Sequence, residues 1–245
     1  MKRSIFSIIF LCLISQVSHA QAHVIKTNLL GLAYKSINLG YEFKIGSNVS
    51  VGLNSEYRVP GSVNLYILSD RIGTDEISYS GDIQLDGIGV TPYFRYYTRQ
   101  ALNGFYLQPF FRYLNYSFEL PYEYDIDNEL KNGATNGNLK GIGGGLTTGI
   151  QLQLWDHFVI DFYFGFGLIS GNVSAFASYP GLEESDYKFA KDAIDDLKDE
   201  GSDIIFWGKL LDKIEAGSDA TSAWVDIENG LFPSIKVGIL IGYSF

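Results

Sequence analysis

The stretch from Phe158 to Gly171 limits the possible folds of this chain more than any other. One parity is apolar and mostly aromatic: Phe158, Ile160, Phe162, Phe164, Phe166 and Leu168. The opposite parity carries Asp161, Tyr163, Gly165 and Gly167. A period of two predicts a β-strand with one apolar face. An eight-stranded barrel has little room inside for such bulky side chains, so the pattern predicts a barrel with its apolar face outside, as in a membrane barrel.

The rest of the chain repeats this alternation and predicts eight strands. They cover about Val24–Tyr34, Ile37–Ile45, Val49–Val59, Gln84–Thr98, Phe105–Phe118, Leu139–Leu154, Phe158–Gly171 and Phe232–Phe245. The connections after the third, fifth and seventh strands are long, whereas most others are short, as in outer-membrane barrels. The predicted fold is therefore an all-β, eight-stranded antiparallel transmembrane β-barrel. Ten strands stay open if Ser62–Leu68 pairs separately with part of Ile72–Gln84.

The N-terminal segment indicates export from the cytoplasm. Lys2 and Arg3 precede an apolar run, Ile5–Val17, that has the length of a signal-peptide core and is too short for a membrane-spanning helix. We expect residues 1–20 to form the signal peptide, with cleavage after Ala20 or Ala22, and residues 21–245 to form the barrel. The one cysteine lies inside the apolar run, so the mature chain is expected to hold no disulfide and no cysteine-based metal site.

The segment from 172 to 231 is predicted to be a long, acidic outside loop that is partly helical. It holds 14 acidic and 5 basic residues, a net charge of −9 within a chain whose net charge is −10. Apolar residues at helical spacing predict two short helices: Tyr187, Ile194, Leu197, Ile204, Trp207, Leu211 and Ile214. An acidic surface disfavours nucleic acid as a partner. A solvated cap is the favoured interpretation, and a docking surface for another envelope protein is the alternative.

The start of the barrel resembles a known family. Ile25 to Tyr57 contains a Lys-Thr-Asn-Leu-Leu start, an Asn-Leu-Gly-x-Glu second strand and a short glycine turn. This stretch resembles the opening of a small eight-stranded outer-membrane barrel family of the Bacteroidota type that has no assigned function. Tyr243 and Phe245 resemble the C-terminal signal read by the barrel assembly machinery, although Leu240 stands where that signal has glycine. The resemblance implies insertion into the cell outer membrane, with its lipids and that machinery as partners.

Ionisable residues recur on the polar parity, which faces the lumen in the predicted barrel. They are Glu42, Lys44, Glu56, Arg58, Arg95, Arg112, Asp161 and Lys236. A proton path, an ion path or a catalytic cluster would use such residues. Buried charges need partners, and a narrow lumen brings them together. A salt-bridged plug is therefore the favoured interpretation.

Other residues are predicted to mark the membrane interface or carry weak signals for a site. Aromatic residues gather near the predicted periplasmic rim: Tyr96, Phe105, Trp155, Phe158, Tyr243 and Phe245. Asp125, Asp127 and Glu129 alternate in an outside loop and offer oxygen ligands for Ca²⁺. That segment lacks the glycine and the distant Glu of a calcium loop, so solvated acids are the favoured interpretation.

The predicted function is a structural or interaction barrel, with no enzyme activity and no cofactor. Acyl chemistry on lipids would need a His beside a Ser and a carboxylate. His23 and His157 lie at the mature N-terminus and in a short turn, away from the outer rim. The alternative is transport of a small ligand or ion through the lumen or a lateral opening, and a lipid-modifying enzyme comes third.

Overall fold

The computed structural model describes residues 23–64, 77–79, 82–126, 129–178, 214–218 and 222–245. The strands are β1 (His23–Asn28), β2 (Ser36–Lys44), β3 (Val49–Arg58), β4 (Ser62–Asn64), β5 (Ile77–Tyr79), β6 (Asp82–Tyr97), β7 (Gly104–Ile126), β8 (Glu129–Leu154), β9 (Phe158–Ser178), β10 (Ile214–Ser218) and β11 (Ser222–Ser244). A short helix, α1 (Leu29–Ala33), lies between β1 and β2. Within these ranges, no helix is long and apolar enough to cross a bilayer.

The strands close into one antiparallel ring in the order β1, β2, β3, β6, β7, β8, β9 and β11. β11 pairs back onto β1, from Val24 opposite Ser244 to Asn28 opposite Leu240. β4 continues the pairing of β3 along β6, and β5 continues the pairing of β6 along β7. The eight-stranded prediction is confirmed. The ten-strand alternative is wrong, because Ser62–Asn64 lengthens an existing pairing and adds no neighbour to the ring.

The two ends of the barrel differ. One end, called the turn end here, holds the short connections and the β1–β11 closure, where His23 N donates to Phe245 O at 3.1 Å. The opposite end, called the loop end, holds the long hairpin of β7 and β8, which pair without a register shift from Gly104 opposite Gln151 to Ile126 opposite Glu129. The polar segment Glu119–Asn138, predicted to be a loop, is therefore mostly strand. Its polar side chains hid the alternation that identifies a strand with an apolar face.

The strand boundaries around the acidic segment also need correction. β9 continues to Ser178, and β11 begins at Ser222, so both ends of the predicted 172–231 loop are strand. Ile214, predicted to lie on the apolar face of the second loop helix, lies instead in β10, which pairs with β11. The helix prediction is wrong for Ile214 because backbone pairing with a long neighbouring strand outweighs a short helical period. The other residues of that prediction, at 187, 194, 197, 204, 207 and 211, lie outside the described residues, as do residues 1–20.

The first predicted strand is shorter than expected. β1 ends at Asn28, whose side-chain Oδ1 accepts a hydrogen bond from Leu30 N at 3.1 Å. This is an N-cap, and it satisfies one of the free amide groups at the start of α1. The chain therefore turns into α1 where β1 would otherwise have continued alongside β11.

The side-chain faces are inverted relative to a soluble barrel. The outer surface is apolar and aromatic; Phe162, Phe164 and Phe166 are 42%, 59% and 47% exposed. The inner face is polar, and Asp161 on the opposite parity of the same strand is fully buried. The faces predicted from the alternation of β9 therefore match the structure.

Glycines on the inner face make room for large rings. A Cβ added at Gly52 would lie 2.2 Å from Tyr93 Cζ, and one at Gly238 would lie 2.3 Å from Tyr163 Cε1. The Tyr93 ring is itself held against Arg95, whose Cζ lies 5.0 Å from the ring centroid. The lumen is thus packed by rings that lie over glycines of neighbouring strands.

We expect Gly52→Ala to lower the free energy of unfolding by about 1–3 kcal/mol, because overpacking forces the Tyr93 ring to move. Gly46→Ala is the matched control, since its added Cβ meets nothing closer than Val49 Cβ at 3.7 Å; we expect a change within about 0.5 kcal/mol. Urea unfolding of the barrel in detergent micelles, followed by fluorescence, measures both. Equal effects of the two substitutions would contradict the packing described here.

Candidate functional site

The barrel interior holds two layers of charged side chains. The turn-end layer consists of Lys26, Glu42, Arg95 and Asp161, and the loop-end layer consists of Glu56, Arg58 and Arg112. Six of the eight lumen residues named from the sequence therefore fall into these layers. Lys44 and Lys236 stand apart from both.

The turn-end layer is a compact ring of two cations and two anions contributed by β1, β2, β6 and β9. Lys26 Nζ lies 2.5 Å from Glu42 Oε2 and 3.0 Å from Asp161 Oδ2. Arg95 Nη1 lies 3.0 Å from Glu42 Oε2 and 2.8 Å from Asp161 Oδ2. All four residues are 3% exposed or less. Each cation contacts both anions, so the layer is electrically neutral as a unit.

Hydroxyl groups donate hydrogen bonds to the second oxygen of each carboxylate in this layer. Tyr97 OH donates to Glu42 Oε1 at 2.6 Å, and Ser50 Oγ donates to the same oxygen at 2.5 Å. Tyr106 OH donates to Asp161 Oδ1 at 2.7 Å. These hydrogen bonds satisfy the carboxylate oxygens that the cations leave open, which is the condition under which buried ion pairs are tolerated.

Two glutamines link the cations to the rest of the barrel. Gln151 Oε1 accepts from Lys26 Nζ and from Arg95 Nη1, each at 2.8 Å, and its amide donates to Leu102 O at 2.9 Å. Gln108 Oε1 accepts from Arg95 Nε at 2.6 Å. The layer is therefore a connected polar network that links several strands across the lumen near the turn end.

The loop-end layer is looser and carries excess positive charge. Arg112 Nη2 lies 2.9 Å from Glu56 Oε2, and Arg58 Nε lies 3.3 Å from Glu56 Oε1. Ser36 Oγ donates to Glu56 Oε1 at 3.0 Å, and Arg112 Nη2 donates to Tyr116 OH at 3.2 Å. The Glu56 carboxylate thus forms ion pairs with both guanidinium groups.

The two remaining lysines have different surroundings. Lys236 of β11 is 9% exposed, and its Nζ lies 4.4 Å from the centroid of the Phe110 ring. Lys44 lies at the turn end of β2, is half-buried, and forms no ion pair with any residue that the structure describes. Neither belongs to the network that the sequence suggested for all eight residues.

A cavity of about 260 Å³ lies at the loop-end layer. Its charged lining residues are Glu56, Arg58, Arg112 and Lys236. Its wall also includes Leu30, Gly31 and Tyr34 from α1 and its C-terminal turn, and Ile235 and Val237 from β11. Ile235 and Val237 are also 69% and 59% exposed on the outer surface, so the cavity adjoins the barrel wall where α1 meets β11.

The opening in the wall follows from the short first strand. β1 pairs with β11 only as far as Asn28 opposite Leu240. Beyond that point, α1 takes the place of a strand between β2 and β11, and a helix cannot continue a strand ladder. Leu32 and Tyr34 of this region are 51% and 55% exposed, so the opening is bordered by apolar side chains on the outer surface.

The remaining predicted residues lie away from this cavity. Tyr96, Phe105, Trp155, Tyr243 and Phe245 are exposed around the turn end, and Phe158 is half-buried beside Trp155 with ring centroids 6.2 Å apart. Asp127 lies outside the described residues, and only the backbone of Asp125 and Glu129 is described. The described part of the chain contains no cluster of His, Cys, Asp and Glu suited to a metal ion.

Sequence reasoning missed Lys26, which completes the turn-end layer. In the sequence, Lys26 shares a parity with Val24 and Asn28, and in the structure all three residues are buried. The β1–β11 register was needed to show which parity of this short strand faces the lumen. The roles of Gln108 and Gln151 as hydrogen-bond acceptors for the cations of this layer likewise depend on three-dimensional contacts.

The chain is similar to a described protein family and to a solved structure. The family model "Protein of unknown function (DUF3575)" matches residues 6–193. The crystal structure of Acinetobacter baumannii CarO is similar with a TM-score of 0.45 and 11% sequence identity, and the match covers 93% of this chain and 98% of that chain. No curated protein matches the sequence.

We expect Lys26→Met to lower the free energy of unfolding by about 3–5 kcal/mol, because it leaves two buried carboxylates with Arg95 as their one cation. Lys44→Met removes the same charge outside the layer and is the matched control, with an expected change within about 0.5 kcal/mol. Urea unfolding in detergent micelles measures the difference. A Lys26→Met barrel as stable as the Lys44→Met barrel would show that the layer contributes little to stability.

Proposed function

This chain belongs to the DUF3575 family of proteins of unknown function, and from that premise we propose that it is an outer-membrane β-barrel with a closed lumen. Its role in this proposal is structural, or lies in contact with other envelope proteins, and it does not pass solutes along the barrel axis. The turn-end layer of Lys26, Glu42, Arg95 and Asp161 carries the proposal, because it fills the lumen with a satisfied, neutral network.

The outer surface supports a location in lipid. Large apolar side chains are exposed on strands all around the ring, among them Leu39, Ile88, Phe111, Ile142, Phe164 and Ile235. Exposed apolar area costs about 25 cal/mol per Å² in water, whereas hydrocarbon removes that cost. Closure of the strands into a ring also pairs most strand-edge groups internally, as a structure in hydrocarbon requires.

The two ends support an orientation. Barrels of the outer membrane have short turns on the periplasmic side and longer loops outside. We therefore place the turn end in the periplasm, with the predicted aromatic girdle at that interface, and the loop end outside. In this orientation the C-terminal aromatic strand, β11, is the segment that the barrel assembly machinery would contact, and outer-membrane lipids surround the rest.

The acidic segment between β9 and β11 supports a contact role over a channel role. Residues 172–231 carry nearly all the excess negative charge of the chain, and β9 ends at Ser178 on the loop-end side. So acidic a segment favours cationic ligands or basic patches on other envelope proteins and disfavours nucleic acid.

A second candidate function is movement of a small ligand through the side of the barrel. The wall opening between α1 and β11 favours it. Catalysis on lipids has no comparable support, because the histidines of the chain stand at positions 19, 23 and 157. His23 Nδ1 lies 2.5 Å from Tyr41 OH and His157 Nδ1 lies 2.8 Å from Ser244 O, both at the turn end and away from the cavity.

Single-channel recording in a planar bilayer tests the closed lumen. We expect no steady current from the intact barrel, and none from a version in which residues 179–213 are replaced by a short Gly-Ser linker, because the turn-end layer is present in both. The double variant Arg95→Ala with Asp161→Ala removes one cation and one anion and should admit a small ionic current. Folding of each variant is checked by heat-modifiable migration in gel electrophoresis.

Steady current from the intact barrel would reject the closed lumen. Current from the shortened version alone would make residues 179–213 a lid and would make axial transport the leading function.

A further inference from the structure

The cavity at the loop-end layer is cationic in a protein that is acidic overall. Arg58, Arg112 and Lys236 line it against one carboxylate, Glu56, while the chain as a whole carries a net charge of −10. Glu56 already interacts with both guanidinium groups. The cavity therefore holds two more positive charges than negative ones.

Part of this positive charge has no partner in the described part of the chain. Lys236 Nζ forms no ion pair or hydrogen bond there, and its contact is the face of the Phe110 ring at 4.4 Å. Arg112 Nε is buried and likewise lacks a hydrogen-bond acceptor among the described residues. A buried ammonium group without a counter-charge is unfavourable. The turn-end layer shows the contrast, since each of its cations contacts two carboxylates.

The cavity is also accessible from the side. Ile235 and Val237 line it and are largely exposed on the outer surface, and α1 replaces the strand that would have closed the wall. A hydrocarbon chain lying against Ile235, Val237 and Leu30 would be continuous with the cationic interior. The volume, about 260 Å³, is below the roughly 300–1,000 Å³ of pockets that enclose drug-sized ligands, so a headgroup fits and a whole lipid does not.

We propose that this cavity binds the phosphate headgroup of an anionic amphiphile, whose hydrocarbon tail leaves the barrel between α1 and β11. A phosphate monoester carries about −1.5 to −2 charges at neutral pH, which matches the excess charge of the cavity. Arginine recognises phosphate oxygens through its planar fork, and lysine contributes a compact point charge. Lys236 Nζ and Arg112 Nε are the free donors that would contact the phosphate. The inference rests on the proposed membrane location, and it does not depend on the closed lumen.

Calorimetric titration of the full barrel in uncharged dodecyl maltoside micelles tests this binding, with protein-free micelles as the blank. The probe is dodecyl phosphate. We expect saturable binding to the unmodified barrel and about ten- to hundredfold weaker binding to Lys236→Met, because one hydrogen bond between charged groups is lost. Lys44→Met removes the same charge far from the cavity and should bind like the unmodified barrel.

Equal binding by Lys236→Met and Lys44→Met would overturn the assignment of the cavity, as would the absence of saturable binding to the unmodified barrel. Retained heat-modifiable migration shows that each variant is folded. Because the titration needs only a folded barrel, its result is separate from the current measurement. If the barrel conducts current and still binds dodecyl phosphate, the closed lumen is rejected and the phosphate site is kept.

Two further titrations identify the source of the phosphate. Inorganic phosphate should bind much more weakly than dodecyl phosphate, since it lacks the tail that lies in the opening. Val237→Trp should weaken the binding of dodecyl phosphate by narrowing the opening, whereas Val51→Trp, a substitution on the outer face of β3, should not. Inorganic phosphate binding as tightly as dodecyl phosphate would reject the amphiphile and the lateral route, and would make the cavity a site for a soluble anion.

Discussion

The interaction on which the barrel interior depends is the shared ion pairing of Lys26 and Arg95 with Glu42 and Asp161. Each of the four strands β1, β2, β6 and β9 contributes one charge to this layer. Each cation contacts both anions, so removing any one member leaves a buried charge with fewer partners. The layer therefore links β1, β2, β6 and β9 across the lumen.

The glycines and rings of the inner face follow from the same constraint. A narrow polar interior leaves space for large side chains only where the facing residue has none, as at Gly52 below Tyr93 and Gly238 below Tyr163. The Tyr93 ring in turn lies beside the turn-end layer, with its centroid 5.0 Å from Arg95 Cζ, and the centroid of the Tyr106 ring lies 3.8 Å from the same atom. Electrostatics and packing in this interior are therefore coupled.

The loop-end half of the lumen differs from the turn-end half in its strand pairing and in its balance of charge. There α1 replaces β1, the strand ladder to β11 is interrupted, and Arg58 and Arg112 share the Glu56 carboxylate. Lys236 lines the same cavity without an ion pair to any described residue. The turn-end layer pairs equal numbers of cations and anions, whereas three cationic side chains and one carboxylate line the cavity. The lumen thus holds a neutral ion-pair network and a cationic cavity, separated near the position at which β1 ends.

The sequence by itself determined the architecture and the faces. The alternation in β9 and its repetition along the chain were sufficient to predict an eight-stranded barrel with its apolar face outside, because side-chain period and volume are local properties of a strand. The strand structure of polar segments such as Glu119–Asn138 was not predicted, since a strand without an apolar face has no such alternation.

Only the tertiary structure decided which charges meet. The placement of Lys26 in the turn-end layer, the lack of an ion pair between Lys236 and any described carboxylate, and the gap in strand pairing beside α1 depend on strand register and on where β1 ends. Register is set by pairing between residues more than 200 positions apart in sequence, such as Val24 and Ser244, and this information is not contained in any local pattern.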